Sequence, residues 1–260
     1  MKPSKEELGE MLKIDRFPRA SAYDPEWVIE NQMGPNALWL AEWVCENFRL
    51  EPGMRVLDMG CGKAMTSIFL AREFGVTVWA NDLWITPSEN WERIRQAGLE
   101  TSVFPIHAEA HSLPYAEEFF DAIVSLDAYH YFGTGDLYLG YITKFLKPAG
   151  RIGIAGPGLV RDFEKVPEHL TRPQKNGAVF WADDCWTFHT LDWWRRLWGR
   201  SSRVEVESAE LLQDGWRIWL EWEKVLALTG PHLFPPDDEV LEADQGRYIG
   251  FVSMTARKHA

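Results

Sequence analysis

The sequence predicts an α/β fold, in which short apolar strands alternate with amphipathic helices. The clearest unit begins with a short apolar run, Val56 and Leu57, that ends in an acid, passes through a turn that contains Gly60 and Gly62, and ends in the amphipathic segment 64–74. A strand, a tight turn and a helix are expected there, because glycine adopts the positive φ values that such a turn needs. The 260-residue chain is 46% hydrophobic and 25% charged, which is typical of a globular domain with a full core.

Further strands are predicted where short apolar or β-branched runs are bounded by turn residues. These runs lie at 77–80, 101–106, 119–127, 151–155, 203–212 and 246–255. Helices are predicted at 27–32, 36–48, 135–146, 190–199 and 214–228. The connection 156–184 contains three prolines, and its length favours a lid or a binding segment.

The glycine turn carries an acid two positions before its first glycine, in the pattern Asp58-x-Gly60-x-Gly62. A dinucleotide-binding turn has no acid there and has a third glycine where this chain has Ala64. The pattern resembles the first motif of class I S-adenosylmethionine-dependent methyltransferases, in which the glycine loop passes under the methionine part of the cofactor. An ordinary strand-to-helix turn is the alternative on this motif alone.

Three later motifs extend the resemblance over about residues 50–156. Residues 107–114 resemble the family's Asp-Ala-x-x-Leu-Pro segment, with Glu109-Ala110 in place of Asp-Ala. Residues 119–127 contain Phe-Asp-x-Ile, and 145–152 read Phe-Leu-Lys-Pro-x-Gly-Arg-Ile. The chain is similar to small-molecule enzymes of the ubiquinone/menaquinone and phosphoethanolamine methyltransferase group.

The resemblance implies a Rossmann-like, seven-stranded, mostly parallel sheet with helices on both faces. It also implies four regions along the chain. These are an N-terminal helical cap (1–49), an S-adenosylmethionine-binding core (50–156), a lid and substrate-side segment with a late strand (157–245), and the final strand of the core sheet (246–260).

The resemblance further implies that the cofactor is S-adenosylmethionine, that the product is S-adenosylhomocysteine, and which residues bind the cofactor. Asp82 ends the second strand, where a carboxylate would accept from both ribose hydroxyls; capping a helix is its alternative role. Glu109 would contact the adenine, although it is longer than the usual Asp. The predicted cofactor-binding residues are Asp58, Gly60, Cys61, Gly62, Asp82, Leu83, Glu109, Ala110 and Asp127.

His130 and Asp127 follow the fourth predicted strand and are the predicted catalytic residues. Histidine titrates near neutral pH, so His130 could accept a proton from a hydroxyl or a protonated amine. Asp127 could orient His130, bind the methionine ammonium or hold a cationic substrate. The alternative for His130 is a packed histidine bonded to backbone, and His107 and His189 are weaker candidates for the base.

The chain contains 14 tryptophans, many of them between residues 180 and 222. Three interpretations stay open: packing of core and lid, an aromatic pocket for an apolar ring or a quaternary ammonium, and a surface for a membrane or an acidic ligand around 193–203. The residues predicted to contact substrate are Tyr23, Tyr129, Tyr131, Trp181 and Trp186.

Composition argues against several classes of protein. The formal net charge of −12 disfavours nonspecific binding to nucleic acid. Cys45, Cys61 and Cys185 are widely spaced and belong to no cluster with metal-ligand spacing, so a reduced, cytoplasmic environment is expected. Metal-independent chemistry is expected because catechol-type methyltransferases hold their metal with several acids near the fourth strand, and Asp127 alone stands there. No apolar run approaches the ~20 residues of a membrane span, and the first residues lack the apolar region of a signal peptide.

The predicted function is therefore methyl transfer from S-adenosylmethionine to a nitrogen or oxygen of a small molecule. One alternative is a sensor or subunit that binds S-adenosylmethionine without turnover. Another is a protein or nucleic-acid methyltransferase, although no Asn/Asp-Pro-Pro-Tyr sequence for base methylation follows the fourth strand. No nucleic-acid partner and no stable membrane insertion are expected, and a homodimer is compatible with the sequence.

Overall fold

A seven-stranded sheet forms the centre of the molecule in a computed structural model, which describes residues 2–260. The strands are β1 (Arg55–Met59), β2 (Thr77–Asp82), β3 (Val103–His107), β4 (Phe120–Leu126), β5 (Leu146–Leu159), β6 (Val204–Leu211) and β7 (Ile249–Lys258). Their order in the sheet is β3-β2-β1-β4-β5-β7-β6. The first five strands are parallel, and β7 runs antiparallel to both of its neighbours. The predicted Rossmann-like, mostly parallel sheet is confirmed.

Helices connect these strands and flank the sheet. They are α1 (Lys5–Met11), α2 (Pro25–Asn31), α3 (Ala37–Glu46), α4 (Met65–Phe74), α5 (Pro87–Gln96), α6 (Tyr129–Phe132), α7 (Tyr138–Ile142), α8 (Glu168–Thr171), α9 (Leu191–Trp198), α10 (Gly215–Thr229) and α11 (Asp238–Asp244). Short 3-10 helices lie at Ala20–Ala22, Thr143–Phe145 and Asp183–Thr187. In the part of the chain that the structure describes, no helix has both the length and the apolar character needed to cross a bilayer.

Two hydrophobic cores lie on opposite faces of the sheet. Consecutive strand residues point to opposite faces, and accordingly Val56 packs in the core built from α3, α4 and α10, whereas Leu57 packs in the core built from α7 and α9. Both residues are fully buried, as expected for a parallel sheet covered by helices on both sides.

The strand order creates a crevice beside β1. The chain leaves β1 toward β2 on one side, while β4 pairs with β1 on the other, so the connections diverge at the carboxyl end of β1. Ligands of open α/β sheets bind at such a point of divergence. The glycine turn lies there.

Several predicted boundaries differ from those in the structure. β5 extends to Leu159 rather than to residue 155, because it pairs with β7 over nine positions from Arg151 onward. The predicted helix 135–146 is reduced to α7 and a 3-10 turn, and α5 and α11 were not predicted. The division of the chain into cap, core, lid and final strand stays a prediction.

Asp244 fixes the entry into β7. Its carboxylate is fully buried and accepts hydrogen bonds from the backbone N–H groups of Tyr248 (3.1 Å) and Ile249 (3.0 Å) and from Nε2 of His169 (2.8 Å). We expect Asp244→Ala to lower the free energy of unfolding by about 3 kcal/mol, because it leaves buried donors without an acceptor. Urea titration measures this, and Asp238→Ala, at the other end of α11, is the control. Equal stability of the two variants would contradict this role.

Candidate functional site

A cavity of about 660 Å³ opens at the carboxyl ends of β1, β2 and β4. The turns after these strands form its floor, and the segment before α3, helix α10 and the loop before α11 form its walls. Of the residues predicted to bind ligands, nine line the cavity: Gly60, Cys61, Gly62, Asp82, Leu83, Glu109, Ala110, Asp127 and Tyr131.

The glycine loop presents bare backbone to the cavity. Gly60 and Gly62 have φ values of 72° and 52°, which a side chain would strain. A Cβ atom on Gly60 would lie 2.4 Å from the Cβ atom of Ala128, and one on Gly62 would lie 2.9 Å from Sδ of Met33. Gly60 therefore needs glycine both for the turn and for the close approach of Ala128, whereas Gly62 needs it for its positive φ.

Asp82 organises the loops on this side of the cavity. Its Oδ2 accepts from the Gly62 N–H at 2.8 Å, and its Oδ1 accepts from the N–H groups of Trp84 (2.7 Å) and Ile85 (2.9 Å). It does not cap α5, whose N-cap is Thr86. A carboxylate has about four acceptor positions, so Asp82 retains capacity for a ligand hydroxyl while it holds the glycine loop.

Asp58 is not among the residues that line the cavity, and its predicted contact with the cofactor stays a prediction. It is 1% exposed beneath the start of α4, and its Oδ2 accepts from Thr66 Oγ1 (2.5 Å) and Ser67 Oγ (2.6 Å). Burial raises the pKa of the Asp58 carboxyl to about 6. Within residues 2–260 its Oδ1 has no hydrogen-bond partner, so the carboxyl supports the loop from below and keeps one free acceptor.

Glu109 lies at the mouth of the cavity, with its side chain 47% exposed. Its carboxylate accepts from the backbone N–H of His111 (2.8 Å) and contacts the ring Nδ1 of the same residue (2.7 Å). The hydrogen bond with the His111 side chain lowers the pKa of Glu109. The carboxylate therefore stays charged and is held by its own turn, with Ala110 beside it on the lining.

Asp127 faces the cavity from the end of β4. Its backbone has a φ of 54°, which is uncommon for a residue with a side chain. Gly34 makes room for it, because a Cβ atom at that position would lie 2.3 Å from Asp127 Oδ2. Burial, together with the charges of Glu223 and Asp184, raises the pKa of Asp127 well above its usual range.

Glu223 and Asp237 were missed from the sequence, yet both line the cavity opposite the glycine loop. Glu223 is 6% exposed, and its carboxylate accepts from Trp219 Nε1 (2.8 Å) and the Asp237 N–H (3.3 Å). Burial and the neighbouring Asp237 charge raise the pKa of Glu223 to about 8, and burial raises that of Asp237 to about 6. The sequence offered one indication of a buried acid here, since Glu223 follows Trp219 by one turn on an otherwise apolar helix.

His130 lies behind the cavity wall, and its role as a general base stays a prediction. Its ring is 4% exposed and packs against the rings of Tyr131 and Phe188, at centroid distances of 4.1 and 5.3 Å. Those two residues line the cavity and His130 does not. Burial, with a smaller effect of His189, lowers the pKa of His130 to about 3, so the imidazole is neutral at physiological pH.

Four residues predicted to contact substrate are not among those that line the cavity, and their role stays a prediction. Tyr23 donates to Glu73 Oε1 at 3.1 Å and packs on Phe69. The others are aromatic residues that pack elsewhere: Tyr129 against Trp194 and Trp198, Trp181 against Phe163, and Trp186, which is 61% exposed, against Trp181. The residue types alone did not indicate which way these four side chains point relative to the cavity.

The raised pKa of Glu223 predicts a pH-dependent stability. Between about pH 4 and pH 8 the unfolded chain releases the Glu223 proton while the folded chain retains it, so the folded state loses relative stability as pH rises. We expect Glu223→Gln to match the wild type in free energy of unfolding near pH 4 and to exceed it by about 2–4 kcal/mol at pH 8. Urea titrations at both pH values measure this, with Glu221→Gln on the same helix as control. A pH-independent difference would contradict the buried acid.

The floor of the cavity fits a nucleoside cofactor with a charged tail. It combines exposed glycine backbone with a carboxylate at the end of β2. The unpaired Oδ1 of Asp58 is buried behind this lining. Its volume lies in the range of small-molecule sites. Within the described residues, no three His, Cys, Asp or Glu side chains lie close enough together to hold a metal ion.

Comparisons with known proteins agree with this geometry. Residues 56–150 match the model of a methyltransferase domain family. Methyltransferase GfsG of Streptomyces halstedii is 32% identical over 117 residues, which are 45% of this chain and 42% of that protein. The chain spans less than two thirds of the length of the curated relatives it matches.

Two solved structures show the same fold. One is a phosphoethanolamine N-methyltransferase 2 of Haemonchus contortus in complex with phosphomonomethylethanolamine and S-adenosylhomocysteine. Its TM-score is 0.71 at 17% identity, and the match covers 99% of this chain and 61% of that chain. The [4+2]-cyclase SpnF has a TM-score of 0.68 at 17% identity, with coverage of 100% and 98%. The domain model matched by residues 56–150, together with the motifs and the sheet, confirms that this chain is similar to class I S-adenosylmethionine-dependent methyltransferases.

Proposed function

We propose that the protein transfers a methyl group from S-adenosylmethionine to a small-molecule acceptor. One observation carries this proposal: the glycine loop and Asp82 line the same cavity as the aromatic and acidic wall of α10. Cofactor and acceptor would therefore occupy one cavity side by side, as an in-line methyl transfer requires.

On the cofactor side, Asp82 would accept hydrogen bonds from the ribose, and the backbone of Gly60 and Gly62 would lie along the methionine part. Glu109 and Ala110 stand where the adenine would lie. When bound, the sulfonium of the cofactor supplies an electrophilic methyl group. The contribution of the protein is then to orient the acceptor lone pair and to exclude water, so positioning supplies much of the rate.

His130 would serve as a positioning residue. Its ring supports Tyr131 and Phe188 on the acceptor side of the cavity. The cytoplasmic location, the independence from metals and the small-molecule acceptor remain part of this proposal.

A second candidate function is binding of S-adenosylmethionine without methyl transfer. The fold of the [4+2]-cyclase SpnF matches the whole of this chain, so the fold by itself does not specify transfer. The two functions predict different products from the same cofactor.

Formation of S-adenosylhomocysteine decides between them. The full chain is incubated with S-adenosylmethionine labelled in the methyl group and with a panel of small amines, phenols and carboxylic acids. Transfer of label to an acceptor, abolished in Asp82→Ala, is the expected result. Cofactor binding with no labelled product from any acceptor would favour the second function.

A further inference from the structure

We propose that the methyl acceptor is an amine that enters the cavity as a cation, and that the carboxylates of Asp127 and Glu223 bind it and take its proton. This inference rests on the proposed function, because it concerns the acceptor side of the same cavity. It names the acceptor atom as nitrogen and assigns two residues to it.

The acceptor side is rich in carboxyl groups without partner cations. Asp127, Asp184, Glu223 and Asp237 all line it, and within residues 2–260 none of them forms an ion pair with Lys, Arg or His. Lys63 is the one lysine on the lining and lies on the glycine loop, where its Nζ donates to the Glu30 carbonyl at 2.8 Å. No cation of the described chain therefore balances the charge that these acids carry when they are ionised, and a cationic ligand would favour their ionised form.

The carboxylate of Asp127 is the clearest sign of a missing partner. The half-buried Asp127 side chain opens onto the cavity, and no described residue forms an ion pair with it, although its surroundings and two neighbouring acids make its charge costly. Gly34 leaves space for this carboxylate, and the carbonyl of Gly34 is fixed by Trp222 Nε1 at 2.9 Å. A cation beside Asp127 would replace the missing donors.

The same wall carries aromatic side chains, which attract cations through their ring faces. Trp219 stands beside Glu223 on α10 and is stacked on Phe251 at a centroid distance of 4.8 Å, so its orientation is fixed. The other aromatic residues on this side are Tyr131, Phe180, Phe188 and Phe234. Acids together with aromatic faces suit an organic ammonium. A metal ion is disfavoured, because the carboxyl groups do not converge on one point.

The chemistry balances for such an acceptor. The bound ammonium favours the ionised acids, so the proton of Glu223 or Asp127 first leaves to solvent as the cation binds. The carboxylate then takes a proton from the ammonium, which frees the nitrogen lone pair. That pair forms the N–CH3 bond, while the S–CH3 bond breaks and its electrons stay on sulfur, so the positive charge moves from sulfur to nitrogen. The product ammonium stays beside the acids, and the proton on the carboxyl leaves to solvent with the product.

The test compares a cation with a neutral molecule of the same skeleton. Binding of S-adenosylhomocysteine to the full chain is measured first by calorimetry. Benzyltrimethylammonium and benzyl alcohol are then titrated into the loaded protein. We expect the cation to bind at least ten times more tightly, and Asp127→Asn and Glu223→Gln each to weaken it at least fivefold. Glu221→Gln, an exposed acid on the same helix, is expected to leave both affinities within twofold.

The outcomes separate this inference from the proposed function. If S-adenosylhomocysteine does not bind, the proposed function fails and the acceptor assignment falls with it. If it binds but the cation shows no preference, or if the two variants bind the cation as the wild type does, the acceptor assignment alone is overturned. Methyl transfer to alcohols or acids, with none to amines of the same skeleton, would overturn it as well.

Discussion

Gly60→Ala is expected to weaken binding of S-adenosylmethionine at least ~100-fold, a loss of about 2.7 kcal/mol. The new Cβ atom would lie 2.4 Å from the Cβ atom of Ala128, which is fixed to backbone and cannot rotate away. The φ of 72° adds about 1 kcal/mol of strain for a residue with a side chain. The loop must therefore shift into the space that the cofactor needs. Calorimetric titration measures the loss.

Gly98→Ala is the matched control for the strain alone. Gly98 has a φ of 69°, close to that of Gly60, but a Cβ atom there has no heavy atom within 4 Å. The two variants should lose similar stability from the backbone, whereas only Gly60→Ala should lose affinity. Equal affinities of the two variants would contradict the role of the close approach.

Asp82→Ala is expected to weaken cofactor binding by roughly 10- to 100-fold, because hydrogen bonds to a charged group are worth about 1.5–3 kcal/mol each. The substitution also removes the acceptor of the Gly62, Trp84 and Ile85 N–H groups, so the glycine loop loses its support. Titration of S-adenosylmethionine into the variant measures the effect.

Asp82→Asn separates the two contributions of this side chain. It keeps one oxygen acceptor and the size of the residue, so loop support is partly retained while the charge is lost. We expect an affinity between those of the wild type and the alanine variant. Unchanged binding in both variants, with unfolding in urea also unchanged, would contradict the assignment of Asp82 to the cofactor.

The parts of the fold that local sequence specifies were predicted well. The strand, glycine turn and helix over 55–74 follow from an apolar run, two glycines and an amphipathic segment, and the structure has β1 and α4 there. By contrast, α5 was not predicted, although Thr86, Pro87 and Glu89 form a capping box with a proline in the first turn. Because α5 contains few apolar residues, its sequence shows no clear helical periodicity of hydrophobic positions.

The acceptor side could not be predicted, because it is assembled from distant parts of the chain. Asp127, Glu223 and Gly34 are far apart in sequence and meet only when α10 packs beside the segment before α3. Local pattern placed His130 correctly after β4 but could not give the direction of its ring. One residue of difference along a helical turn decides between Tyr131, which lines the cavity, and His130, which supports it.

Calorimetric titration of S-adenosylmethionine into the wild-type chain tests the central claim most directly. The geometry of the glycine loop and Asp82 predicts saturable binding of one cofactor per chain in the micromolar range (about −8 kcal/mol). Absence of binding, with the protein shown to be folded by circular dichroism, would contradict the assignment of this cavity to the cofactor.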